Sequence, residues 1–344
     1  MKKNYISLVA LMLLFFSLKA QDAHFTQYYT FGQALNPALT ANHDGSYKVS
    51  LIYRNQWSSF LQKSAFNTPG VSVDLPLLEG ILNGDKFGIG LMFFNDRFGD
   101  GAMSTLNTAL SLAYHKGIGK KKNHRLSLGA QVAYVQKNID SDGYTFYDQF
   151  DVISHSGRGA SSDFINLQRG MYYFFDYNFG IYWKSTFGKR VKLQTGFAFH
   201  HAGQPKEYFV DKSDEYFLAR KYTADLGLEI FITDKFSFSP DALYQKQGEA
   251  QEILAGGSFA YYFSDGFRKK SSVHLGARYR VGDAVSALFS FEIRNIRLGA
   301  AYDVNLSQLK SASKYGGGFE VSLSYTGESI RSFKANKSLP ARRF

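Results

Sequence analysis

The stretch Ala284-Val285-Ser286-Ala287-Leu288-Phe289-Ser290-Phe291-Glu292-Ile293-Arg294 decides the architecture. Val285, Ala287, Phe289, Phe291 and Ile293 face one way, and Ser286, Ser290, Glu292 and Arg294 the other. Alternation at 180° per residue marks a β-strand with one apolar face. Tyr222–Ile230 repeats the pattern, with Tyr222, Leu226, Leu228 and Ile230 opposing Thr223, Asp225, Gly227 and Glu229; Val273–Arg280 does the same. Outward from these, about fourteen such segments are predicted by the same reading, at 47–54, 70–77, 86–95, 103–115, 124–137, 172–184, 189–201, 220–232, 235–246, 251–263, 272–281, 284–294, 295–304 and 316–326. Most run near ten residues. Soluble strands are usually about 5–6 residues, whereas a tilted membrane strand needs about 9–11.

The apolar face carries rings near the strand ends, among them Tyr47, Phe87, Trp183, Tyr222, Tyr279, Tyr302 and Tyr325. Aromatic rings at both edges of a lipid-facing band are the girdles of outer-membrane barrels. The expected fold is all-β: one antiparallel transmembrane barrel of about 14 strands, spanning 47–326. A large soluble β-sandwich is the alternative that strand length and girdles disfavour. The whole composition fits. Aromatics are 17% of 344 residues, with 32 Gly and only 6 Pro. Mean hydropathy is -0.24, which excludes a helical membrane protein. Cys is absent, which removes disulfides, thiolate metal sites and Cys nucleophiles together.

Ahead of the barrel, Lys2 and Lys3 precede the apolar run Ile6–Leu18, and Ala20 precedes Gln21. This reads as a secretory signal peptide, residues 1–20; the apolar run is too short for a spanning helix, which needs about 20 residues. Residues 21–46 are left as a pre-barrel segment rich in rings (Phe25, Tyr28, Tyr29, Phe31), and 327–344 as a basic tail. With an even strand number both termini face the periplasm. Short connections such as Lys116–Asn123 then fall on that side, and the long ones, Asn138–Met171 and Ala202–Ala219, fall outside.

The net charge is +11, and its location argues against nucleic acid. Lys120, Lys121, Lys122, Arg268, Lys269 and Lys270 fall in the short connections and Arg190 at the strand start beside one, all on the expected periplasmic rim. A one-sided basic rim is a docking field for an acidic partner, or a solvated edge that keeps the turns soluble. By parity, Gly88, Gly90, Gly129, Gly180, Gly196, Gly227, Gly256, Gly276 and Gly299 point into the lumen. Two reasons suggest themselves for so many: close approach by the pre-barrel segment, or relief of barrel curvature. Catalytic signatures are missing. His200-His201 are consecutive in a strand and so point to opposite faces; Ser154-His155 lacks a nucleophile elbow; Gly117-Ile118-Gly119-Lys120 lacks the full phosphate-loop pattern. No cofactor and no metal is expected.

Ordered strings carry a family resemblance. Phe25-Thr26-Gln27-Tyr28 is followed by Asn36-Pro37-Ala38 and then Tyr53-Arg54-Asn55-Gln56-Trp57. Downstream come Asn95-Asp96-Arg97-Phe98-Gly99, Gly276-Ala277-Arg278-Tyr279-Arg280, Leu298-Gly299-Ala300-Ala301-Tyr302-Asp303 and Glu320–Tyr325. The set resembles the PorP/SprF family of type IX secretion system outer-membrane proteins over nearly all of the mature chain. The resemblance implies a non-enzymatic barrel in the cell outer membrane. Its expected partners are periplasmic or outer-membrane secretion components, or a secreted adhesin, with gliding motility as a related role. The pre-barrel strings single out Phe25, Gln27, Tyr28, Asn36, Pro37, Tyr53, Arg54, Asn55 and Trp57 as plug residues. The rival expectation is a transport channel for small or hydrophobic solutes; a third is an adhesin acting through the outer loops.

Overall fold

The computed structural model describes residues 22–77, 85–99, 103–119, 122–139, 170–207, 216–263, 271–308 and 310–327. The signal segment and the tail beyond Gly327 lie outside them. The strands are β1 (Tyr47–Gln56), β2 (Phe66–Leu77), β3 (Lys86–Phe98), β4 (Met103–Ile118), β5 (His124–Ile139), β6 (Met171–Phe187), β7 (Val191–His200), β8 (Lys206–Glu207), β9 (Tyr216–Phe217), β10 (Lys221–Phe231), β11 (Phe236–Gln247), β12 (Ala250–Tyr262), β13 (Ser271–Arg280), β14 (Ala284–Ile293), β15 (Ile296–Asn305) and β16 (Gly316–Gly327). All but β8 and β9 form one closed antiparallel barrel of fourteen strands; those two make a separate ladder in a connection. The seam pairs the first strand with the last, from Tyr47 opposite Gly327 to Gln56 opposite Gly318. Closure leaves no edge, as a sheet in hydrocarbon requires, because each unpaired backbone group there costs several kcal/mol.

The alternation is real. Leu91, Leu112, Leu128, Phe259, Leu275 and Leu298 face outward and exposed, while Arg54, Arg278, Arg280, Asp303 and Glu320 face inward and buried. An exposed apolar belt around a polar interior is a surface for lipid.

Three differences from the sequence expectation have local causes. β2 begins at Phe66, ahead of Pro69; Pro69 pairs with Tyr53 of β1, whereas pairing to β3 skips from Asn67 to Gly70, so its missing N–H falls where the ladder is already interrupted. β4, β5 and β6 reach 16, 16 and 17 residues and raise one side of the wall. His201 does not obey strand alternation: its φ of 57° turns the ring inward beside His200.

The two barrel ends differ. The terminal end carries the start of β1, the finish of β16 and the β6–β7, β10–β11 and β14–β15 turns. The loop end carries the β1–β2, β7–β10 and β15–β16 connections.

Candidate functional site

Residues 22–46 run through the lumen, from Asp22 at the loop end to Ser46 at the terminal end, where Ser46 N donates to Gly327 O (3.0 Å). The segment has little secondary structure of its own: one helical turn, α1 (Gly32–Leu35), and a 3₁₀ turn at Pro37–Leu39. Its carbonyls therefore need partners from the wall. Luminal side chains supply them. Arg278 Nη1 donates to Thr26 O (3.1 Å), Gln131 Nε2 to Gln33 O (3.2 Å) and Lys86 Nζ to His43 O (2.6 Å). His115 Nε2 lies 2.8 Å from Thr40 O; the contact requires a proton on Nε2, leaving Nδ1 to accept from Ser127 Oγ.

The glycines of the wall make room. Gly129 lies opposite Gly180 across β5 and β6, and Gly196 of β7 is opposite Tyr182. On this floor sit Asn36, Pro37 and Ala38. A Cβ at Gly129 would fall on the Pro37–Ala38 backbone, and one at Gly180 on Asn36 Oδ1. At Gly88 it would come within 2.6 Å of Ala41 Cβ, and at Gly90 within 2.7 Å of Gln33 Oε1. Gly227, Gly256 and Gly276 instead approach neighbouring barrel strands. The local turn suits its floor: Asn36 is extended ahead of Pro37, its Oδ1 accepts from Ala38 N (2.9 Å), and its Nδ2 donates to Ile181 O and Phe197 O (3.1 and 3.2 Å).

Near the loop end the segment is held by charge. Glu320 accepts from the backbone N–H groups of Thr26 (2.6 Å) and Gln27 (2.8 Å) and pairs with Arg54. Arg54 also meets Asp303 (3.1 Å). Arg280 reaches Asp303 (3.4 Å), Glu252 (3.1 Å) and Asp283 (3.2 Å). Thr26 Oγ1 sits at the centre, donating to Asp303 (3.0 Å) and accepting from Arg54 (3.1 Å) and Arg280 (3.0 Å). Arg54, Asp303 and Glu320 are 3%, 3% and 1% exposed, so these charges survive burial only as a mutually satisfied set. A register shift between Asp303 and Val304 adds a bulge where that carboxylate is placed.

Beside this network lies apolar packing. Phe25 and Phe31 meet edge to face (5.6 Å) and join Ile52, Met92, Ala109, Ala133, Val135 and Phe174 in one buried cluster. Deeper in, Tyr28 donates to Asp241 (3.1 Å), which Arg278 grips with two nitrogens (2.7 and 2.8 Å). At the start of the described segment, Asp22 and Asp176 flank His201 at 2.8 Å each. Burial opposes charge on that imidazole, but Asp22 and Asp176 prevail and push it up to about 9. Burial likewise opposes the Asp22 carboxylate, yet His201 and Lys221 hold it well below the usual carboxylate range.

Of the residues singled out from sequence, the structure joins Phe25, Gln27, Tyr28, Asn36, Pro37 and Arg54 in the lumen. Tyr53, Asn55 and Trp57 do not enter: Tyr53 and Asn55 bond to Asn67 (2.8 and 2.6 Å), and Trp57 meets Phe66 edge to face (5.2 Å) at the loop end. Of the basic rim, Lys122 and Arg190 are described, both at the terminal end; Lys120, Lys121, Arg268, Lys269 and Lys270 lie outside the described residues. Glu252, Asp241, Asp176 and Asp22 join the site beyond the residues that the sequence motifs mark; for Asp241 and Asp176 the signal is a carboxylate at luminal parity. Among the described residues no cluster of His and carboxylates could hold a metal ion.

Solved structures with this fold are outer-membrane barrels. The Ralstonia pickettii toluene transporter TbuX superposes with a TM-score of 0.50 at 11% identity, covering 86% of this chain and 92% of its own. A TodX monoaromatic hydrocarbon channel lacking S2 and S3 gives 0.52 at 9%, covering 86% and 94%. At such identities the likeness concerns the fold alone. No curated protein matches the sequence. Residues 17–325 match the family described as type IX secretion system membrane protein PorP/SprF. With that match covering nearly the whole barrel and the segment inside it, the chain belongs to the PorP/SprF family of type IX secretion system membrane proteins and resides in the outer membrane.

Proposed function

We propose that the protein is a non-enzymatic scaffold of the type IX secretion machinery: a barrel sealed by its own N-terminal segment, which offers its terminal, periplasmic end to a secretion component. The observation that carries the reading is the buried set Thr26, Arg54, Arg280, Asp303 and Glu320, which fixes the segment inside the lumen. A pore for solutes gains nothing from so costly a closure, whereas a platform gains a rigid body. The basic rim, with Lys122, Arg190 and the sequence-predicted rim residues Lys120, Lys121, Arg268, Lys269 and Lys270, is the docking field. Exposed pairs contribute only about 0–1 kcal/mol each, so single neutralisations do little and a combined reversal does much. An adhesin held at the loop end, in the service of gliding, is the variant of the same role.

The test joins conductance with capture. Purified protein in planar bilayers should be electrically silent, and tagged protein extracted in detergent should retain secretion components. Glu at all seven rim positions should lower that retention at least tenfold and remove its salt sensitivity. Solute-dependent openings of the intact protein would establish the channel reading instead.

A further inference from the structure

Below the segment, toward the terminal end, the lumen is not filled. A cavity of about 420 Å³ lies there, the size of a small-ligand pocket, enough for a short extended peptide and too small for a folded domain. Its carboxylates are mostly engaged. Asp241 is gripped by Arg278, Asp74 by His43 (2.7 Å) and Gln33 (3.2 Å), and Glu229 by Lys192 (2.8 Å) and Tyr262 (2.6 Å). Three of its cations are not in ion pairs. Lys48, Lys184 and Arg297 line the cavity, and none makes an ion pair among the described residues. Lys48 is the second residue of β1, Arg297 the second of β15, and Lys184 stands near the finish of β6. All three therefore ring the mouth rather than the floor. Arg297 and Arg278 hold Tyr29 between them, at 5.2 and 5.0 Å from the ring.

A second observation distinguishes what would fill the space. Lys48 and Arg297 stand on β1 and β15, two strands apart, whereas Lys184 stands on β6, across the barrel from both. A single phosphate is a compact anion that one or two cations satisfy, whereas an extended acidic segment carries carboxylates at several points along its length and meets cations on both sides of the lumen.

We propose that the terminal-end cavity is a vestibule for an acidic, extended segment of a partner protein, held by Lys48, Lys184 and Arg297. The partner's identity as a secretion component rests on the scaffold reading; the anion-selective peptide site does not.

The protein lacks Cys, so Ser258→Cys places one thiol on the cavity wall. Two maleimide peptides are compared on the full-length protein in detergent, one with four Asp and one with four Asn at the same positions. The acidic peptide should label at least tenfold faster. Lys48→Gln, Lys184→Gln and Arg297→Gln together should cut that preference to twofold or less, with the heat-modifiable gel shift of a folded barrel retained. Neutralising Lys122 and Arg190, which do not line the cavity and whose exposed charges are screened by salt, should leave most of it. Equal rates for the two peptides, or a preference untouched by the triple substitution, overturn the vestibule. So does phosphate at constant ionic strength if it blocks labelling as well as the unlabelled acidic peptide. If the rim substitutions alone abolish the preference, the vestibule fails while docking at the rim stands; if the vestibule holds but no secretion component is captured, the scaffold reading fails alone.

Discussion

The loop-end and terminal-end halves of the lumen share the same fourteen strands but are filled differently. Toward the loop end, Phe25 and Phe31 pack into a buried apolar cluster beside a buried set of charges in which each meets an opposite charge. Toward the terminal end, the chain of residues 39–46 hugs the wall near Gly88 and Lys86 and leaves a polar space lined by three cations that make no ion pair among the described residues. Closure and accessibility are thus separated along one axis: the barrel is stoppered toward the loops and remains a cup toward the termini.

The largest effect should come from removing the stopper. Deleting 21–40 takes away Phe25, Phe31 and Asn36 and should turn a silent barrel into one that conducts in planar bilayers. A deletion variant that folds and stays silent would move the seal to the loops and abolish the contrast between the halves. Next, Glu320→Gln strikes the charge set. Breaking a buried pair costs about 3–5 kcal/mol, and tenfold is about 1.4 kcal/mol, so chymotrypsin cleavage within Phe25–Phe31 should rise by about two orders of magnitude or more. Unchanged cleavage would mean that the apolar cluster alone holds the segment.

A milder comparison uses two luminal glycines. Gly129→Ala drives a methyl into the Pro37–Ala38 backbone, and overpacking of this kind costs about 1–3 kcal/mol. At Gly227 the methyl meets only the Gln194 side chain, at 3.1 Å, which can rotate away. Protease release of the segment should increase in the first variant and stay near wild type in the second; equal responses would show that the glycines serve wall curvature.

The smallest effect is at the Asp22 clasp. The His201 value of about 9 exceeds the usual 6.5 or so, so its stabilisation is complete below about pH 6.5 and is lost as pH rises through 9. Asp22 is depressed, so its share is present above the ordinary carboxylate range of about 3.9 and fades as pH falls below it. The groups facing the imidazole are Asp22, Asp176 and His200, with Lys221 close to Asp22. A spin label at Ala23→Cys should be immobile from about pH 5 to 8 and loosen above 9. His201→Gln should loosen it throughout; a label indifferent to both changes would leave the clasp without a role.

The barrel was legible because lipid on one face and a polar lumen on the other impose a period of two, visible in Val285 through Arg294. Strand length was less so. Gly117 and Ile118 read as a turn, yet both pair with β5. The site was legible only as a direction. Parity puts Arg54, Asp303 and Glu320 inside, but nothing periodic ties Arg54 to Glu320, 266 positions away. Their meeting follows from closure, which sets them directly opposite each other. His201 was hidden for another reason: a single left-handed residue reverses the face that alternation assigns.

The seam has a consequence for how loss of one part spreads to another. Arg54 on the first strand and Glu320 on the last face each other across it, and Glu320 also captures the amides of Thr26 and Gln27. One carboxylate thus serves as a clasp for the wall and as a latch for what lies inside it. Loosening the join between the first and last strands and freeing the inner segment draw on the same group, so the two are coupled rather than independent.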